Sequence, residues 1–217
     1  MSSVDDLNGK KRAILIAAEK CFAAQSYEGV SIRDIAHEAA VPVALVGYYF
    51  GAKNELYHAI FEYHSSYLAE RLDKLRHARQ QARNDNMLDA VIAAFILPTL
   101  QLNQHPEGKY FCRMVMRGAI DQHEASERIY QDFYEPMAKE FIAALRDALP
   151  DASADSICWS YQFTLGALLH HVVDTSLPRL VTSPRTDKLN LNAAPYLLKF
   201  ISSGIRATTD TGVAEEN

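Results

Sequence analysis

Apolar residues recur along the whole chain at spacings of three and four, while the apolar–polar alternation of a half-buried strand is nearly absent. That periodicity constrains the fold more than any other feature, and it predicts an all-α protein made of amphipathic helices. A chain of 217 residues, 48% of them hydrophobic, can bury a real core as one large domain or as a small domain plus a larger one. The longest apolar run, residues 90–100, is shorter than the roughly 20 residues of a membrane helix and contains Pro98, so no membrane span is expected. The opening "MSSVDDLNGKKR" has charges but no apolar signal core, which makes the cytoplasm the expected location.

Several function classes drop out on composition and motifs. Cys21, Cys112 and Cys158 lie far apart, with no CxxC pair, inside helical apolar patterns where a thiol behaves as a small hydrophobe; neither a disulfide nor a zinc framework is expected. His170 and Asp174 in "HHVVD" have the i, i+4 spacing of metal ligands, yet two groups are too few for a site, and a structural or interface role is the reading. A Gly-rich phosphate loop, GxSxG and HExxH are absent, and no cysteine has a local His partner, so no catalytic residue and no cofactor is expected. The net charge of −5 works against nonspecific coating of nucleic acid, and residues 1–58 balance six basic against seven acidic side chains. Any contact with DNA must be local.

The first helix, about 10–26, carries Ile14, Ala17, Ala18, Cys21 and Phe22 on one side. Gly29 then breaks the chain, and Ser31 followed by Asp34 reads as an N-cap with an acidic first turn, so a second helix starts near Ser31 and buries Ile32, Ile35, Ala36 and Ala39. Pro42 pushes Val41 out of helical geometry but suits the first position of a third helix, about 42–50. A longer helix begins near Ala52 and carries Leu56, Ile60, Tyr63, Tyr67, Leu72 and Leu75; the polar stretch 76–86 reads as the joint that follows. Further helices are expected at about 87–104, 108–121, 124–148, 154–180 and 190–206, with a kink or break at Pro98 and Pro136. The last two are apolar on more than one side and must be buried, centrally or against another subunit. Residues 181–190 read as a loop and the tail from 208 as disordered.

The first three helices, with a four-residue turn between the second and third, are the ingredients of a helix-turn-helix, whose second element lies in the DNA major groove. On the third helix Val46 and Phe50 face the core; Ala44, Leu45 and Tyr48 point away, with Gly47 and Tyr49 at the flanks. In the C-terminal half, Arg113 and Arg117 stand one turn apart, and a buried Arg needs an anion or an acceptor. One reading gives them the carboxylate or phosphate of a ligand whose apolar part lies among Phe95, Phe111, Met114, Met137, Phe141, Tyr161 and Phe163. The other pairs both Arg residues with acids such as Asp121 and Glu124 and makes the apolar set ordinary core.

Over residues 13–56 the chain resembles the tetracycline-repressor (TetR) family of bacterial transcription regulators. Phe22, Gly29, Ser31, Ile35 with Ala36, Ala39, Val41, Tyr48 with Tyr49 and Phe50, and Lys53 carry the resemblance at fixed spacing. It implies a homodimeric DNA-binding protein, most simply a repressor, in which a small molecule in the C-terminal domain changes the spacing of two reading heads. The implied organisation is a helix-turn-helix domain over 1–55 with a connecting helix at about 52–78, then a ligand-binding and dimerisation domain over 56–207 that pairs through helices 154–180 and 190–206, then a tail over 208–217. The resemblance further implies phosphate contacts from Ser31, Tyr49 and Lys53 and base contacts from Arg33, Val43, Ala44, Leu45 and Tyr48. Where many members carry Lys, Ser or Thr this chain has Val43 to Gly47, which shifts readout toward thymine methyls, Tyr48 and Arg33. The stretches "FCRMVMRG" and "YQFTLGALLHHVVD" and the helix holding Pro136 are similar to fatty-acid-responsive members, which implies a fatty acid or acyl thioester as effector. The alternative is a helical enzyme or interaction module whose N-terminal trio does not bind DNA.

Overall fold

The computed structural model describes residues 2–81, 86–121, 123–174 and 192–210, and every regular element among them is helical. In chain order these are α1 (Ser2–Ala24), α2 (Ile32–Glu38), α3 (Val43–Phe50), α4 (Lys53–Tyr63), α5 (Ser65–Gln81), α6 (Met87–Gln104), α7 (Pro106–Asp121) and α8 (Glu124–Ile129). A π-helical turn at Tyr130–Tyr134 leads into α9 (Glu135–Ala148), followed by α10 (Ala154–Val173) and α11 (Ala194–Asp210). The expected joint at 76–86 is helical as far as Gln81. The helix expected to reach 180 ends at Val173, where Asp174 turns extended (φ −77, ψ 121), and the last helix runs to Asp210, past residue 208, where the tail is expected to begin. Residues 82–85, the predicted loop 181–190 and the tail from 211 lie outside the described residues.

The helices form two compact units, Met1–Leu68 with Leu102–Pro136, and Ala69–Gln101 with Met137–Asn217. Residues 102–136, grouped by sequence with the C-terminal domain, therefore pack in the first unit. There α1 lies against α2, α4 and α7, and α3 against α2 and α4. Phe22, Phe61 and Phe111 are fully buried at the centre, with Ile14, Ile35, Val46, Leu56, Ile60 and Met114 around them. Apolar burial on this scale, about 25 cal/mol per Å², is what holds three helices of only 7, 8 and 11 residues that would not persist alone.

Three local features depart from the periodicity or sharpen it. The long helix expected from Ala52 breaks at His64, whose backbone (φ −92, ψ 12) leaves helical geometry. A buried polar pair sits at the break: His64 Nε2 lies 2.9 Å from Glu19 Oε1, and the imidazole stacks on Phe111 with ring centres 3.9 Å apart. At Pro136 the expected disruption takes the form of the π turn, in which the Glu135 N–H donates to the Tyr130 carbonyl five residues back. Widening the turn just before a proline gives its ring room and absorbs the missing N–H. At Pro98, by contrast, α6 continues without a break.

Between α2 and α3, Ala40 holds φ = 54°, the left-handed region that costs a residue with a Cβ roughly 1 kcal/mol. Ala40→Gly is expected to raise unfolding stability by about 0.5–1 kcal/mol in a urea titration, because relief of that strain outweighs the added freedom of the unfolded chain.

In the second unit Phe95 of α6 meets Phe141 of α9 edge-on at 4.6 Å and Tyr161 of α10 at 5.8 Å. Arg206 on α11 bridges to Asp89 on α6 at 2.7 Å, and Arg79 on α5 to Asp147 on α9. Helix α6 is long and apolar enough by composition to cross a membrane, yet Leu88, Val91, Ile92, Phe95 and Ile96 are buried within the protein. The last two helices are not covered all round: Trp159 and Phe163 on α10, and Tyr196 and Phe200 on α11, are 58–74% exposed.

Candidate nucleic-acid interface and effector core

The reading element is assembled by a capping box. The Asp34 N–H donates to Ser31 Oγ at 3.2 Å while the Ser31 N–H donates to Asp34 Oδ2 at 2.9 Å, which starts α2 at the residue where the sequence places it. The Ser31 hydroxyl and N–H together hold the Asp34 carboxyl below its usual range. The same hydroxyl donates to Asp34 at 2.6 Å, so a phosphate must compete with Asp34 for it.

Arg33 projects exposed from α2. The two acids near enough in sequence to neutralise it are engaged elsewhere, Asp34 with Ser31 and Glu38 with Lys20 at 3.0 Å. On α3, Val46 and Phe50 are buried, as the helical wheel predicts. The outward arc is Val43 (47% exposed), Gly47, Ala44 and Tyr48 (79% exposed); Leu45, expected to point away, is half-buried. Leu45 and Tyr49 lie between the arcs, and Tyr49 turns inward so that its hydroxyl is buried and makes no hydrogen bond. Contact between Tyr49 and a phosphate therefore requires that side chain to swing out.

Lys53, half-buried at the start of α4, donates from Nζ to the carbonyls of Tyr27 (3.0 Å) and Val30 (3.2 Å), with the ammonium 4.2 Å from the Tyr27 ring centre. Two of its three N–H donors thus clamp the loop before α2, and one is left for a phosphate. Tyr27 is held in turn by Phe22 and by His123, on which it stacks at 4.1 Å. Burial pushes the neighbouring Tyr57 phenol up to about 12 and the His123 imidazole down, so this support is neutral at physiological pH.

The effector residues read from sequence are distributed over both units. Phe111 and Met114 are core residues of the first unit, Phe111 packing edge-on to Phe61 at 5.3 Å. Arg113 is exposed and Arg117 half-buried on the same helix. Phe95, Met137, Phe141 and Tyr161 belong to the second unit, and Phe163 faces outward. The i, i+3 stripe of α7 packs Phe111 and Met114 into the core formed with α1 and α4.

A cation missed by the sequence reading sits instead among the aromatic rings of the second unit. Arg71 on α5 is only 5% exposed; its Nη2 donates to the Phe95 carbonyl at 3.2 Å, and its guanidinium lies 4.7 Å from the Phe95 ring centre and 5.6 Å from that of Phe141. Its position on the apolar stripe Leu68, Arg71, Leu75 is the signal that could have found it. Glu19, on the stripe Leu15, Glu19, Phe22, was legible in the same way. Among the described residues no group of three or more His, Cys, Asp or Glu side chains is arranged to hold a metal.

Comparison with known proteins gives two family matches. Residues 14–60 match the model for bacterial regulatory proteins of the tetR family, and residues 93–204 match that for the tetracyclin repressor-like C-terminal domain. Among solved structures, HlyIIR, a hemolysin II transcriptional regulator, is similar at 22% identity over 91% of this chain and 97% of its own, with a TM-score of 0.60. The TetR-family regulator PfmR from Thermus thermophilus is 16% identical over 89% and 94% of the two chains, with a TM-score of 0.60. GusR from Salmonella enterica is 14% identical over 93% and 96%, with a TM-score of 0.59. At these identities the likeness is one of fold. None of the curated proteins matches the chain in sequence.

Proposed function

Because the chain belongs to the tetR family of bacterial regulatory proteins, and is thus a transcriptional regulator rather than an enzyme, we propose that it is a cytoplasmic homodimeric repressor released from its operator by an anionic, largely apolar effector. The observation that carries the DNA-binding part is the reading element itself: a capped α2, a tight turn at Ala40, and a short α3 whose outward arc is left uncovered. Arg33 suits guanine by two hydrogen bonds, Val43, Ala44 and Tyr48 suit base edges, and Ser31 and Lys53 suit flanking phosphates. Selection from a pool of random duplexes at low salt tests this reading, which predicts enrichment of one inverted repeat; a pool that stays random defeats it. Within the selected site, Arg33→Ala is expected to cost about 1–3 kcal/mol, concentrated at one base pair, by fluorescence anisotropy against single-base variants.

Dimerisation through α10 and α11 is supported by the four exposed aromatic rings on their outer face. Eight such rings across a two-fold axis supply on the order of 1,000 Å², the scale of a specific interface.

For the effector, a fatty acid or acyl thioester fits both the resemblance of the C-terminal half and the chemistry of the second unit. Its carboxylate or phosphate would be met by Arg71, already desolvated, and its chain by Phe95, Phe141 and Tyr161. Arg71→Met is expected to leave folding and operator binding intact while abolishing release by long-chain fatty acids or their coenzyme A esters. Unchanged release from the operator would assign Arg71 a purely structural role.

A further inference from the structure

Helix α3 presents to solvent an arc of about 140° that contains Val43, Gly47, Ala44 and Tyr48 in that angular order. None of the first three can form a side-chain hydrogen bond, and the tyrosine hydroxyl is the single polar side-chain atom on the arc. Nothing lies within 4 Å of where a Gly47 Cβ would be, so the centre of the arc is bare backbone that a base edge can approach closely. Long polar side chains read base edges from a distance, whereas Val and Ala reach only what projects toward them. In the major groove one group projects and is apolar: the C5 methyl of thymine.

We propose that α3 selects its half-site through thymine methyl groups, with Val43 and Ala44 packed on two of them across the gap left by Gly47, and with hydrogen-bond readout confined to Arg33 and Tyr48. This rests on the DNA-binding reading above and specifies which chemical feature of the duplex that reading uses. One consequence separates it from readout by hydrogen bonds. Apart from the base pairs read by Arg33 and Tyr48, specificity must survive changes of the DNA that leave the methyls in place, and it must fall when the methyls alone are removed.

The decisive experiment replaces each thymine of the selected duplex, singly, by deoxyuridine, which differs by that methyl and keeps every hydrogen-bonding group. Substitution at two or three neighbouring positions of each half-site is expected to weaken binding of the intact protein about fourfold per methyl, the equivalent of burying one methyl-sized group. Val43→Ala, an exposed position that does not threaten folding, is expected to weaken the thymine duplex by about two- to fourfold and to have no further effect on the duplex carrying deoxyuridine opposite it. If deoxyuridine at every thymine leaves affinity unchanged while the parent duplex is still bound selectively, the methyl readout is overturned and the DNA-binding reading stands. If no duplex is selected at all, both are overturned.

Discussion

For the dimer proposed above, the double substitution Phe163→Glu and Phe200→Glu is expected to give a folded monomer that has lost DNA affinity by about 10²–10⁴-fold. Both side chains are mostly solvent-exposed in the chain by itself, at 65% and 74%, so neither contributes to the core that holds the unit together. They stand one turn from Trp159 and Tyr196 respectively, which makes an aromatic stripe on each of two packed helices. An apolar patch of this kind on a protein surface marks an interaction site. Four carboxylates brought together across a two-fold axis would repel one another and face a loss of hydration that no partner compensates. The fall in affinity follows from avidity: two linked heads bind an inverted repeat far more tightly than either alone, by the factor of about 10²–10⁴ that effective concentration provides. Sedimentation equilibrium gives the mass and anisotropy the affinity; a variant that keeps twice the chain mass would place the dimer surface elsewhere.

The second large effect is at the buried pair that breaks the helix between α4 and α5. His64→Ala is expected to destabilise the protein by about 3–5 kcal/mol, because it leaves a buried carboxylate without its partner. Glu19 is 1% exposed, and its Oε2 already lacks a hydrogen bond, so removing His64 leaves both oxygens unsatisfied. The pH dependence has a definite sign. Burial raises the Glu19 carboxyl above its usual range, and His64 partly offsets that shift. A folded-state value above the unfolded one favours folding at low pH, and that advantage is lost as pH rises through the folded value. Without His64 the shift grows, so the deficit of the variant is expected to be largest at and above neutrality and to shrink on acidification. Urea midpoints across that pH range measure it. Replacing both residues by Leu is expected to restore most of the loss, since an apolar pair carries no unmet desolvation cost.

Much of this architecture is legible in the residues, for reasons that differ between elements. The capping box at Ser31 and Asp34, Pro42 at the start of α3, and the alternation of Val46 and Phe50 with Tyr48 are local signals, so α2 and α3 emerge close to where the sequence places them. The break at His64 coincides with a contact to Glu19, 45 residues away, and a helical pattern that continues across residue 64 hides it. The same holds for the effector residues. A stripe of Phe111 and Met114 says that one face of α7 is apolar, but which unit that face enters depends on packing between distant segments. Arg71 and Glu19 were each visible as a charge on an apolar stripe, a pattern that points to a buried polar role without saying which.

Whether α2 and α3 choose a sequence decides whether the chain acts on an operator. The most direct measurement is the ratio of dissociation constants for the selected inverted repeat and for a scrambled duplex of the same base composition, at one fixed salt concentration. A dimeric regulator that reads bases predicts a ratio of at least about 10³ in favour of the repeat. A ratio near one would mean that the arc of Val43, Gly47, Ala44 and Tyr48 does not read DNA.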